Sequence, residues 1–298
     1  MASLSRIEIV SRSARAVIRP DLGAGLERYD FLCRGNVEPL FRPASPETQR
    51  PFQLANIPLV PWSGRISGGG FTFRGSFHAL EPNVPGEPLP LHGNGFSSEW
   101  AIVQAGRNYA KFSLQANGPA PFRYDALVSY RLDEQGALTM ELAVTNRAPI
   151  PLPYGGGFHP WFPRGQDTRL TARARIVWLE DEHHLPASSE PVHPGSKWDF
   201  STGKVLPGGW LHAWFSEWDG NAAIEWPDRH LALTVNASAN LSSAVLYSPS
   251  ENAGFFCFEP VSHPVDAHNL GEPEDFGLTV LNPGEAFTCA ARFIPSAI

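Results

Sequence analysis

The chain has 298 residues, and its 23 Lys plus Arg against 30 Asp plus Glu leave a net charge of −7. No basic run offsets that balance, which argues against a nucleic-acid partner or an anionic membrane surface. The 27 Gly and 29 Pro are about a fifth of the chain, against roughly 12% in an average one, so long helices and coiled coils are excluded. Nine Trp against two Met suit sheet faces and sugar-stacking surfaces better than helical bundles.

Met1-Ala2-Ser3-Leu4-Ser5-Arg6 leads directly into the strand-like Ile7-Glu8-Ile9-Val10. Neither an apolar signal core nor a span of about 18 apolar residues is present. Cys33, Cys257 and Cys289 form no C-x-x-C pair, and their odd number argues against a disulfide framework. Reduced thiols in a cytoplasmic protein are expected. Ser45–Arg50 fits one helical turn at most, with Ser45 as cap and Pro46 at the first helical position.

Elsewhere the readable pattern alternates with period two. Ala126, Val128, Tyr130 and Leu132 share one face, as do Leu138, Met140, Leu142 and Val144, with a hairpin loop at Asp133-Glu134-Gln135-Gly136 between them. Further strands are predicted at 101–104, 110–114, 173–178, 222–226, 231–235, 244–247, 255–258, 278–281 and 286–293. Runs separated by turn residues every 8–12 residues or so mark a sandwich or barrel. No linker, composition shift or fixed-period repeat divides the chain. The expectation is an all-β fold in one domain, 1–298, of mostly antiparallel strands.

Chemistry is sought where polar residues interrupt this pattern. Glu259 follows Phe255-Phe256-Cys257-Phe258. A carboxylate at the end of a buried strand must be paired, raise its pKa, or turn to solvent, and a raised pKa suits a general base. His159 lies among aromatics after Gly155-Gly156-Gly157, as either a proton-transfer group or a core histidine. His92, flanked by Gly93, is placed on a turn, where functional groups concentrate. In the Asn56–Ile66 segment the Arg65 guanidinium follows an apolar, proline-stiffened stretch. Glu182-His183-His184 and His263–His268 hold metal-ligand types, but neither has the helical H-E-x-x-H spacing, and both read as loop histidines. Gly68-Gly69-Gly70 reads as a turn. No nucleophile elbow, P-loop or dinucleotide fingerprint is present.

In chain order, Asp21-Leu22-Gly23-Ala24, Pro61-Trp62-Ser63-Gly64-Arg65-Ile66, Phe71-Thr72-Phe73-Arg74-Gly75, His92-Gly93, His159-Pro160-Trp161-Phe162, Trp218-Asp219-Gly220 and Glu259-Pro260-Val261-Ser262-His263 resemble the aldose 1-epimerase (mutarotase) family of the galactose mutarotase-like superfamily. The resemblance runs nearly end to end. It implies a β-supersandwich with an open sugar cleft, and interconversion of the α and β anomers of a free aldose without cofactor or metal. It further implies that Glu259 removes the anomeric-hydroxyl proton, that His159 protonates the ring oxygen, and that Arg65 and His92 hold sugar oxygens. Two departures stand out. Ser63-Gly64 precedes the arginine where many relatives have asparagine. His212, in Leu211-His212-Ala213-Trp214-Phe215, falls where many members carry a hydroxyl-binding aspartate, and Asp219 lies nearby as either a substitute or a turn residue.

Two other readings stay open. A mutarotase for hexose 6-phosphates would use Arg65 and Arg74 on the phosphate, and a carbohydrate-binding protein would keep the cleft without turnover. In every case the expected partner is a small sugar, bound by a monomer or homodimer. With an imidazolium facing it, Glu259 is expected to rest ionised beside a protonated His159.

Overall fold

The computed structural model describes residues 6–298. Met1–Ser5, read above as a short lead-in, lies outside the described residues. Two large antiparallel sheets, of eleven and nine strands, face each other with two small two-stranded sheets beside them. The all-β sandwich expected from the sequence is the architecture observed. Among the described residues the α-helical content is a single turn, Ala267–Leu270.

The alternation seen in the sequence is the physical basis of the sandwich. Tyr124–Leu132 pairs with Leu138–Asn146 in the predicted hairpin register, with Val128 opposite Leu142 and Tyr130 opposite Met140. Ala126, Val128, Tyr130, Leu132, Leu138, Met140, Leu142 and Val144 are all buried, while Leu127 and Glu141 on the other face are exposed. Fully burying a large apolar side chain stabilises by about 1.5–3 kcal/mol. The face with those residues therefore turns inward.

In the eleven-stranded sheet, six neighbouring strands run in the order Asn56–Leu59, Gly157–Pro163, Phe255–Val261, Ser243–Ser248, Leu211–Ser216, Ile176–Glu180. One face sends Phe158, Phe162, Phe256, Phe258, Ala244, Leu246, Ala213 and Phe215 into the core shared with the nine-stranded sheet. The other face carries Trp161, Cys257, Val245 and Trp214 into a second, smaller apolar cluster. With period two, His159, Glu259, Tyr247 and His212 must share that second face. The cleft lies on it.

Two local expectations are corrected. Ser45–Arg50 forms a turn, with the Thr48 amide donating to the Ser45 carbonyl, and the one-turn helix is the 3-10 segment Pro51–Gln53 just after it. The predicted strand 173–178 straddles a change of sheet: Arg169–Ala172 belongs to the nine-stranded sheet and Ile176–Glu180 to the eleven-stranded one. The charged Arg173 and Arg175 flank that crossing, and the second strand runs two residues further than predicted, to Glu180.

Candidate active site

Glu259 does not end its strand. The strand continues to Val261, and Glu259 is 3% exposed. The pairs Gly157–Val261 and Trp161–Cys257 bracket His159 and Glu259 across the two strands, so these two side chains lie opposite each other on one face. His159 Nε2 is 3.3 Å from Glu259 Oε1. The His159 ring stacks on Trp161, with centroids 3.9 Å apart and planes 17° from parallel, and the Arg42 guanidinium lies over the same indole at 5.2 Å.

Burial decides the charge state. It pushes Glu259 well above the usual carboxylate range, against a smaller downward pull from Arg65. It pushes His159 well below the usual imidazole range, helped by His92 and Arg42. Both shifts run against the expected resting ion pair and favour the uncharged form, carboxylic acid beside imidazole, with one proton shared between two basic atoms. Charges taken out of water lose more hydration than one close partner returns. His159 Nδ1 has no hydrogen-bond partner, so the ring is oriented by its aromatic stack rather than by a second carboxylate.

Arg65 and His92 are positioned by one interlocked turn. Gly64 donates its amide to His92 Nδ1 at 2.9 Å, and the His92 amide donates back to the Gly64 carbonyl at 2.9 Å. Gly64 (φ +74°) has no room for a side chain, since a Cβ would sit 2.6 Å from Val265 Cγ2. Because Nδ1 accepts, the neutral His92 ring carries its proton on Nε2 and offers a donor. Burial holds the ring neutral, pulling its pKa down to about 3. The Arg65 guanidinium donates through Nε and Nη2 to Glu87 Oε2, at 3.1 and 2.9 Å.

These groups line a cleft of about 320 Å³ together with Phe52, His184, Trp210, His212, Trp214 and Tyr247. That volume sits near the lower end for small-molecule sites, roughly 300–1,000 Å³, and suits a monosaccharide. Five of the six residues named from the sequence are brought together: Glu259, His159, Arg65, His92 and His212. Asp219 is not among them. Its Oδ1 accepts the Asn221 amide at 2.9 Å in the turn after Leu211–Ser216, so it is a turn residue and is withdrawn from the site. Arg74 also lies elsewhere, on the small hairpin of Gly70–Phe73 and Ser76–Ala79, over the Phe73 ring.

Sequence reasoning missed Glu87, Glu180 and Trp210, and it set His184 aside as a loop histidine. Glu180 accepts from His212 Nδ1 (2.5 Å) and His184 Nδ1 (2.6 Å) through Oε2, and from Trp210 Nε1 (2.5 Å) through Oε1. Burial pulls its pKa up, but these three donors outweigh it and hold the carboxylate at about 2. A signal for Glu180 was that it ends an apolar strand, as Glu259 was thought to do.

Two groups bring metal-ligand atoms together, His159–Cys257–Glu259 and Glu180–His184–His212. The first contains the proton-holding pair. In the second, both imidazole nitrogens touch the same carboxylate oxygen at hydrogen-bond distance, closer than ligands stand around a zinc ion with bonds of about 2.0–2.2 Å. The His263–His268 cluster is dispersed into separate structural bonds. His263 Nε2 accepts the Ser63 amide, Asp266 accepts from Ser67, and His268 Nε2 meets the Pro153 carbonyl.

The family model for aldose 1-epimerases matches residues 5–293. The chain belongs to the aldose 1-epimerase family. It is 33% identical over 238 residues to the uncharacterised protein YphB of Escherichia coli (strain K12), covering 78% of this chain and 80% of that one. A crystal structure from Escherichia coli K12, of a protein provisionally named an aldose 1-epimerase, superimposes with TM-score 0.91 at 28% identity over 99% of both chains. The aldose epimerase homologue of C. elegans superimposes with TM-score 0.85 at 18% identity, covering 99% of this chain and 100% of that one, a likeness of fold.

Proposed function

We propose that this protein is an aldose 1-epimerase that interconverts the anomers of a free, unphosphorylated aldose by acid–base ring opening and reclosure. The observation that carries the reading is the buried His159–Glu259 contact at 3.3 Å, facing a cleft of monosaccharide size. Ring opening takes a proton from the anomeric hydroxyl and delivers one to the ring oxygen. A pair holding one proton can do both and keep its proton count unchanged. Glu259, as carboxylate, takes the hydroxyl proton while imidazolium His159 gives one to the ring oxygen. Rotation about C1–C2 and the reverse transfers close the ring on the other face.

Burial favours the neutral tautomer of the resting pair, so binding must favour the charged one. A hydroxyl donating to Glu259 and the field of Arg65 both act in that direction. His92 Nε2–H is a fixed donor for a further sugar oxygen. Each proton transfer of this kind supplies about 10²–10⁴-fold.

Cleft charge favours a neutral sugar. The lining places one guanidinium, Arg65, beside Glu87, to which it is already salt-bridged, and the Glu180 carboxylate stands behind His212. A phosphate dianion calls for an unopposed basic cluster. Polarimetry on freshly dissolved glucose, galactose and their 6-phosphates tests this directly. Acceleration of at least one free sugar, with the 6-phosphates at the uncatalysed rate, is expected. Acceleration restricted to the 6-phosphates would reverse the substrate class, and binding without acceleration of any aldose would leave a carbohydrate-binding protein.

A further inference from the structure

Glu180 stands directly beyond the last cross-strand pair, Leu179–Ala213, and therefore beside His212 on the cleft face. The register of its strand against Pro186–Pro191 shifts between Leu179 and Glu180, which re-aims the carboxylate at that point. Glu180 and His212 side chains are only 16% and 11% exposed. Trp210 Nε1 and His184 Nδ1 hold the carboxylate from two further directions.

Resting on the aldose reading above, we propose that Glu180 is a positioning residue that fixes the His212 tautomer, so that His212 Nε2 is a hydrogen-bond acceptor in the cleft and selects sugars with a donating hydroxyl at one ring position. A carboxylate oxygen 2.5 Å from Nδ1 requires the proton to sit on Nδ1. Burial and the neighbouring Arg65 outweigh Glu180 and keep the His212 ring uncharged, so Nε2 retains its lone pair. His92 is wired the other way, its Nδ1 accepting from Gly64 and its Nε2 donating. The cleft thus holds two neutral imidazoles of opposite polarity, one giving and one taking a hydrogen bond. An acceptor at position 212 does for a sugar hydroxyl what a carboxylate oxygen would do, but for a single hydroxyl and without adding charge.

The chemistry makes a sharp distinction among sugar analogues. Fluorine accepts weakly and cannot donate. At the ring position read by His212, the fluoro and deoxy sugars should both bind roughly 10-fold more weakly than the parent sugar, as expected for one lost hydrogen bond. A donor at Nε2 would instead penalise the deoxy sugar more than the fluoro one.

The test has two arms. Nitrogen-15 NMR of the histidine rings, without sugar and without any variant, should show His212 protonated at Nδ1 and bare at Nε2, and His92 the reverse. Calorimetric affinities for singly deoxy and fluoro aldoses should show the matched penalty at one position in the wild type. In Glu180→Gln that penalty should shrink to under about 2-fold, with KM rising more than kcat falls and the His212 tautomer becoming mixed. A proton on His212 Nε2 in the wild type, or an unchanged tautomer and sugar preference in Glu180→Gln, would overturn the proposal. So would zinc binding that displaces the Nδ1 proton and raises the exchange rate. None of the binding measurements needs turnover, so a protein that binds sugars with this preference and exchanges no anomers would refute the reaction and leave this inference standing.

Discussion

His159 and Glu259 hold one proton between them, and that count governs the pH dependence. Adding a second proton at low pH makes His159 imidazolium beside a carboxylic acid; removing the first at high pH leaves carboxylate beside neutral imidazole. Only the singly protonated pair can give and take at once. The pH profile of kcat/KM should therefore be bell-shaped, with its acid limb from the imidazole and its alkaline limb from the carboxyl, as macroscopic values of the coupled pair. Burial moves the two in opposite directions, which makes the plateau wide. His159→Asn should lose the acid limb, and Glu259→Gln the alkaline limb. An acid limb retained in His159→Asn would contradict this assignment.

Among the elements, the interlocked turns carrying Arg65 and His92 tolerate little change. Gly93 has φ +66°, and a Cβ there would fall 2.3 Å from the Val60 carbonyl oxygen and 2.4 Å from Pro61 Cδ. Gly93→Ala should cost about 1–2 kcal/mol for the left-handed backbone and a further 1–3 kcal/mol or so for overpacking. Because His92 is the preceding residue, sugar KM should rise as well. Gly35 shares the left-handed conformation, at φ +78°, but has nothing within 4 Å. Gly35→Ala should cost the backbone part alone and leave KM unchanged. Equal losses at the two sites in urea unfolding would contradict the close approach. The strands were legible because alternation records which face is buried, and the face assigned to Ala126–Leu132 and Leu138–Val144 is the buried one. Glu259 and His159 stood out as polar groups embedded in apolar runs. The contacts of Glu180 with His184, Trp210 and His212 were not legible, because they depend on a change of sheet at 173–175 and a register shift at 179–180, neither of which leaves a periodic trace.

For the whole molecule, the buried histidines set the acid stability. Burial holds His92 and His268 at about 3 and His263 at about 4. Unfolded histidine titrates near 6.5, so below about pH 6.5 the unfolded chain binds protons that the folded one refuses, and stability falls by roughly 1.4 kcal/mol per pH unit for each ring. His159 adds a fourth such ring. Glu259 has the opposite sign: its folded pKa is raised, so its contribution is present at low pH and is lost as pH rises from about 4.3 towards the folded value. His92, His263 and His268 act in the same direction, so stability should drop steeply from pH 6.5 to pH 5. Urea midpoints unchanged between pH 6.5 and 5 would contradict that balance. The most direct measurement of the central claim is the anomer-exchange rate of an accelerated aldose by exchange NMR, on wild type and Glu259→Gln, with sugar affinity measured in the same samples. The account predicts kcat lower by about 10²–10⁴-fold in the variant with affinity changed only modestly. Exchange at near the wild-type rate by a folded, sugar-binding Glu259→Gln protein would contradict it.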